Sequence, residues 1–262
     1  MNTPGLESPG LGSSAPGPLA SESVSILGCR VDRVDAAGAQ ARIAGYLERG
    51  TPAHVVTLGA EMANLAYGDE RYRNVINAAD LVVPDTIGIV LASRWLRSPL
   101  PERVAGIDLL ERVSADAAAQ GHAVYLLGGV EGAAAAAGAA LAQRHPGLRL
   151  AGAEHGYFDG AQNAAVVERI RSSGARLVFV GLGFPRQEFW IHENLARLGP
   201  VVCIGVGGSF DVLSGRLPRA PLAIRRAGLE WLYRLAREPR RFRRQLALPL
   251  FAARALRQSL RG

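Results

Sequence analysis

Asp85 closes the stretch Leu81-Val82-Val83-Pro84-Asp85, and Thr86-Ile87-Gly88 then opens a helix-like segment over 87–97. The apolar run at 81–83 has the character of a buried parallel strand. A carboxylate at the carboxyl end of such a strand lies in the crevice where α/β sheets hold their ligands. There it suits a general base, provided it is ionised and within hydrogen-bond reach of the proton it removes. Asp is also a frequent helix N-cap, and position alone weighs the two roles equally.

Further candidates stand at comparable points. Gln187 and Glu188 follow the turn Gly181-Leu182-Gly183-Phe184-Pro185-Arg186, which ends an apolar run at 177–180. Their polar groups either point into the crevice or cap the next helix. Arg103 sits in the proline-rich loop 99–106 beside Glu102. It forms either a surface ion pair worth little or a guanidinium fork aimed at a phosphate.

Several chemistries find no support. No glycine-rich turn matches Gly-x-Gly-x-x-Gly, and Gly128-Gly129-Val130-Glu131-Gly132 falls short of it. Neither a Gly-Lys-Ser/Thr loop nor a Gly-x-Ser-x-Gly elbow is present. A nicotinamide oxidoreductase, an ATPase and a serine hydrolase are therefore disfavoured. The five histidines show no ligand spacing, and Cys29 and Cys203 make neither a disulfide framework nor a metal site. No metal and no cofactor is expected.

The elements that must position these groups alternate. Strands are expected at 23–31, 54–57, 81–83, 123–127, 148–152, 177–180 and 201–204. Helices are expected at 35–49, 61–67, 71–79, 87–97, 107–120, 131–144, 163–172 and 189–198. This is the pattern of an α/β protein with a Rossmann-like, mainly parallel sheet and flanking helices. Four strands end in glycine-containing turns ahead of helices, an arrangement that admits a ligand to the backbone and favours anions. Beyond 216 the alternation stops. Segments 222–237 and 239–260 read as helices of a C-terminal appendage.

Charge divides the chain the same way. It contains no lysine, and all 30 basic residues are arginine. Segment 225–262 holds eleven arginines against Glu230 and Glu238, a net +9 within a chain of net +7. Such a tail calls for an anionic partner. Arg234, Arg237, Arg241 and Arg244 recur at helical spacing as one basic stripe interrupted by Pro239. With Trp231, Leu232, Leu235 and Phe242 nearby, the segment reads either as a membrane-surface element or as a helical hairpin packed on the core. No apolar run is long enough to span a bilayer. Residues 1–22 are rich in Gly, Pro and Ser and read as disordered, without the features of a signal peptide. The expected organisation is a disordered segment (1–22), an α/β core (23–221) and a basic helical appendage (222–262).

Taken together, the motifs resemble the WecG/TagA/CpsF glycosyltransferases over roughly 23–244. The resemblance is carried by Gly59-Ala60-Glu61-Met62, Ala79-Asp80-Leu81-Val82-Val83-Pro84-Asp85 with Gly88, and Pro101-Glu102-Arg103-Val104-Ala105-Gly106. It continues in Tyr125-Leu126-Leu127-Gly128-Gly129, Gly156-Tyr157-Phe158, Gly181-Leu182-Gly183 with Gln187-Glu188, Gly205-Val206-Gly207-Gly208-Ser209-Phe210-Asp211, and Leu229-Glu230-Trp231-Leu232-Tyr233-Arg234. The resemblance implies metal-independent transfer of a sugar, with inversion, from a UDP donor to a polyprenyl-diphosphate-linked sugar in surface-polysaccharide or teichoic acid synthesis. It assigns the general base to Asp85. Contacts to donor or acceptor fall on Thr57, Arg103 and Gln187, and the leaving diphosphate falls to Arg234, Arg241 and Arg244. It further implies a cytoplasmic enzyme, peripheral on the inner face of the plasma membrane, with possible homo-oligomers and no nucleic-acid partner. Gly59 stands where many members carry asparagine, and Thr86 where glycine is frequent. This pair of departures bears on the donor, which is N-acetylmannosamine-like or another hexose such as glucose. The competing reading is a non-catalytic α/β module that binds an anionic membrane or nucleic acid through its arginine tail.

Overall fold

The structure, a computed structural model, describes residues 23–237 and 247–261. The expected disordered segment 1–22 lies outside the described residues. The chain opens with a hairpin of β1 (Ser23–Ile26) and β2 (Cys29–Asp32), followed by α1 (Ala36–Arg49). Next come β3 (Ala53–Leu58), α2 (Ala60–Gly68), α3 (Glu70–Ala78), β4 (Leu81–Pro84), α4 (Ile87–Trp95) and α5 (Gly106–Gln120). The second half runs β5 (Ala123–Gly128), α6 (Ala133–Arg144), β6 (Arg149–Glu154), α7 (Gly160–Ser172), β7 (Leu177–Gly181), α8 (Arg186–Leu198), β8 (Val202–Gly205) and α9 (Ser209–Leu213). Three C-terminal helices follow: α10 (Leu222–Arg226), α11 (Glu230–Arg237) and the helix Ala247–Ser259, here α12.

Six strands form a parallel sheet in the order β4-β3-β8-β7-β5-β6. Its central strands are buried on both faces, which explains their continuous apolar runs. On one face Val55, Leu126 and Phe179 pack against α1, α5, α6 and α9. On the other, Val56, Leu58 and Val82 pack against the hairpin, α2, α3 and α12. Tyr125, Val178 and Cys203 face α7 and α8 on that same side. The fold class is thus α/β with flanking helices, and a C-terminal helix packs on the core.

The first expected strand is not part of this sheet. Leu27 and Gly28 both adopt positive φ (51° and 82°) and reverse the chain between β1 and β2. Two consecutive residues of that kind match the twist of a tight hairpin. The hairpin protects the sheet edge at β4, where the buried Asp32 carboxylate accepts the Val82 amide at 2.8 Å. Sequence alternation over 23–31 does not distinguish one strand from two short ones joined by a turn.

Neighbouring strands β3 and β8 send their connections to opposite faces: α2 lies on the hairpin side and α9 on the α6 side. A crevice opens where such connections part. The carboxyl ends of β3, β4 and β8 therefore frame it.

Candidate functional site

The crevice is assembled from strand ends. Thr57, one residue from the end of β3, is buried and donates its hydroxyl to the Gly205 carbonyl of β8 at 2.7 Å. Asp85 follows β4, and its amide extends the β3–β4 ladder by bonding the Leu58 carbonyl at 3.0 Å. Its carboxylate is half-buried and accepts the Gly106 amide at 2.6 Å.

That bond moves Asp85 from the amino end of α4, where the sequence sets a cap, to the start of α5. Thr86, not Asp85, holds the N-cap position of α4, and the Asp85 carboxylate points instead at the first amide of α5. The residue preceding α5, Ala105, offers no side-chain cap. Asp85 supplies the missing acceptor from across the crevice, and a helix N-terminus favours negative charge there. Gly106 packs closely here, since a Cβ would lie 3.2 Å from the Thr57 methyl, which would have to give by a few tenths of an ångström. Thr57, Asp85 and Gly106 thus form one tight cluster.

Gly59 and Thr86 also face each other. Gly59 is the N-cap of α2 and has no side chain to satisfy that helix. Thr86 Oγ1 accepts the Ala60 amide at 3.1 Å in its place. The Thr86 methyl lies 3.4 Å from where a Cβ on Gly59 would be. The two departures read from the sequence are therefore neighbours in the crevice wall.

Arg103 does not pair with its neighbour. The Glu102 carboxylate accepts the Ala36 amide at 2.8 Å and so caps α1, while Arg103 Nη1 lies 3.3 Å from Glu230 at the start of α11. This ion pair ties the appendage to the loop that leads into Gly106. Nearby, Asp108 in the first turn of α5 pairs with Arg219 at 2.6 Å. Arg241 and Arg244 lie outside the described residues, and for Arg234 only the backbone, within α11, is described.

Gln187 and Glu188 do not cap α8, whose N-cap residue is Pro185. Both side chains are buried. Gln187 Oε1 accepts the Gly207 amide at 3.1 Å, and its Nε2 donates to Glu188 Oε1 at 2.6 Å. Tyr72 of α3 donates its hydroxyl to Glu188 Oε2 at 2.9 Å. Sequence reading missed Tyr72, for which no local signal exists, and it missed the Gly106 amide. The small residue opening α5 after an uncapped Ala105 was the signal available for the latter.

Burial pushes the Glu188 carboxyl up to about 7, with the Gln187 and Tyr72 hydrogen bonds opposing it. Its ordinary value is 4.5, so between 4.5 and 7 the folded chain keeps a proton that the unfolded chain has released. Stability from this group is therefore complete below pH 4.5 and lost as pH rises through 7. His54 works the other way: burial lowers it from 6.5 to about 3, so the unfolded ring takes up a proton first as pH falls through 6.5. The two slopes offset each other below pH 6.5 in the native protein. Glu188→Gln removes one of them. The stability of the variant minus that of the native chain, from denaturant titrations, is expected to rise between about pH 5 and 7.5. A flat difference would mean that Glu188 is ionised throughout that range.

A cleft of about 490 Å³ runs along α2 from its first turn, lined among others by Glu61, Leu65, Phe184, Leu250 and Arg254. No helix among the described residues is long and apolar enough to cross a membrane.

Comparison with known proteins places the chain among glycosyltransferases. A sequence model described as the glycosyl transferase WecG/TagA/CpsF family matches residues 24–262. A relative from Bacillus spizizenii (strain ATCC 23059 / NRRL B-14472 / W23) is 36% identical over 212 residues, covering 81% of this chain and 82% of its own. It is an N-acetylglucosaminyldiphosphoundecaprenol N-acetyl-beta-D-mannosaminyltransferase. A protein of the same name from Staphylococcus aureus (strain MW2) is 38% identical over 199 residues, covering 75% of this chain and 77% of its own. The match takes in the hairpin, every strand of the sheet and the C-terminal helices, and the chain belongs to the WecG/TagA/CpsF glycosyltransferase family.

Proposed function

We propose that this chain is an inverting glycosyltransferase. It moves a hexose, N-acetylmannosamine in the first instance, from UDP to an N-acetylglucosamine linked through diphosphate to a polyprenol, and needs no metal. The observation that carries the reading is the Asp85 carboxylate, held by the Gly106 amide at the carboxyl rim of the sheet. The relatives' activity supports the acceptor and the sugar.

The residues divide the reaction as follows. Asp85 removes the proton from the attacking hydroxyl of the acceptor. That oxygen bonds to the anomeric carbon of the donor on the face opposite UDP. The bond from the anomeric carbon to the phosphate oxygen breaks, and UDP leaves with the electron pair. Charge growing on the diphosphate is met by guanidinium groups, a role assigned to Arg234, Arg241 and Arg244 together with Arg103. For Arg103 this requires exchange of its Glu230 partner for phosphate. Thr57 and Gln187 brace the donor side, and the Gly59–Thr86 pair shapes the wall beside it. This wall is where we place the choice between N-acetylmannosamine and another hexose.

We further place the enzyme on the inner face of the plasma membrane, through its basic tail and the exposed Leu229, Trp231, Leu232 and Leu250. Residues 222–262 form the membrane-associating unit on this reading, and self-association between copies competes with it. Light scattering with and without anionic vesicles tests both, since an unchanged mass would count against each.

The activity is tested with a panel of UDP-sugars and a polyprenyl-diphosphate-linked N-acetylglucosamine, without divalent metal, by following UDP release. UDP-N-acetylmannosamine is expected to be the preferred donor. Release with none of them, alongside salt-sensitive binding to vesicles or DNA, would favour the non-catalytic module.

A further inference from the structure

A fully buried carboxylate is costly unless something holds it, and Glu188 is buried with no ion pair among the described residues. Its two oxygens accept from Tyr72 Oη and Gln187 Nε2. Once ionised, above about pH 7, this carboxylate only accepts hydrogen bonds, and it then dictates which end of the Gln187 amide faces it. The nitrogen is drawn inward, and the oxygen is left for the Gly207 amide. A Gln187 turned the other way would set its Nε2 against the Gly207 N–H, donor against donor.

The same arrangement reaches Thr57. A Cβ on Gly205 would lie 2.9 Å from Gln187 Nε2 and 3.4 Å from Glu188 Oε1, and the Gly205 carbonyl is the acceptor for Thr57. The turn after β8 is therefore clamped between Thr57 on one side and the Gln187–Glu188 pair on the other. We infer that Glu188 is a positioning residue of the donor site: it sets the orientation of Gln187, and through it the place of the Gly205–Gly207 turn. The inference rests on the proposed use of this crevice for a UDP-sugar.

The test uses the full chain at pH 8 with UDP as the titrated ligand, followed by calorimetry, and with the transfer assay run alongside. Glu188→Leu removes both acceptor oxygens, so Gln187 Nε2 loses the partner that fixes its orientation. UDP affinity is expected to fall on the order of 10- to 100-fold, the scale of a small misplacement of binding groups, while the melting temperature moves by only a few degrees. The exchange Gln187→Glu with Glu188→Gln keeps every bond with the roles reversed: Glu at 187 accepts from Gly207, and Gln at 188 donates to it and accepts from Tyr72. This double variant is expected to recover UDP affinity to within about threefold of the native chain, a recovery that loss of mere packing would not produce.

Native affinity in Glu188→Leu overturns the inference. So does a folded exchange variant that keeps the defect, and this second arm decides the matter if the single variant does not fold. Failure of the native chain itself to bind UDP would instead sink the donor-site reading, and the positioning role with it.

Discussion

Replacing Asp85 with asparagine is expected to lower sugar transfer by about 10²- to 10⁴-fold, the usual contribution of a general base. That corresponds to about 3 to 5 kcal/mol of barrier. The fold should survive, because the asparagine carbonyl oxygen remains an acceptor for the Gly106 amide, now bonded at 2.6 Å. What disappears is the ability to take the acceptor's proton. UDP release and thermal melting measured on the same sample separate the two. Asp85→Ala removes both the base and the distant cap of α5, so its activity should match that of the asparagine variant while its stability falls by a further ~1 kcal/mol. Full activity in Asp85→Asn would remove Asp85 from the role of base and leave it as the cap of α5 alone.

The largest structural effect is expected at Gly128, the last residue of β5. Its φ of 137° lies where L side chains are strained, and a Cβ there would come within 2.4 Å of the Gly181 backbone on β7. The two strands are locked at this level, since the Gly129 amide bonds the Gly181 carbonyl at 3.0 Å. Neither chain can retreat without tearing the ladder beneath it. Gly128→Ala is expected to cost about 3 kcal/mol or more, from backbone strain and overpacking together. In a chain of this size that is a fall in melting temperature on the order of 10 °C. Gly132→Ala is the control. Its φ is 77°, but nothing lies within 4 Å of where its Cβ would be, so it carries the strain alone, at about 1 to 2 kcal/mol. Equal melting temperatures for the two variants would show that the close approach of β5 and β7 is not the dominant cost.

The architecture is written along the chain. Periodicity and turn chemistry are local, and in a parallel sheet they are loud: continuous apolar strands, glycine turns and a capped α1. Asp35 was legible as a cap and accepts the Gly38 amide at 2.6 Å. The order of motifs was enough to point to the family, and from β3 to β8 the elements fall within a few residues of where the pattern sets them, whereas α9 was not anticipated and 222–237, expected as one helix, is two, α10 and α11, parted at Gly228. The hairpin was missed because a two-residue reversal at Leu27-Gly28 leaves the alternation of side chains nearly intact.

Which partner each polar group takes is settled only in three dimensions. Glu102 and Arg103 are adjacent in the chain, yet their partners are Ala36 and Glu230. Gln187 and Glu188 read either as caps or as crevice groups, but β8 and α3 bring Gly207 and Tyr72 to them. Asp85 precedes α4 and reads as a cap of that helix or a base, but the amide it accepts is Gly106 of α5, 21 residues on. A hydrogen bond depends on a few ångströms of approach between elements remote in sequence. Hydrophobic burial, by contrast, depends mainly on which face a residue occupies, and that is fixed locally. For this reason the sheet can be read along the chain, whereas the roles at its rim emerge only when the strands are laid side by side.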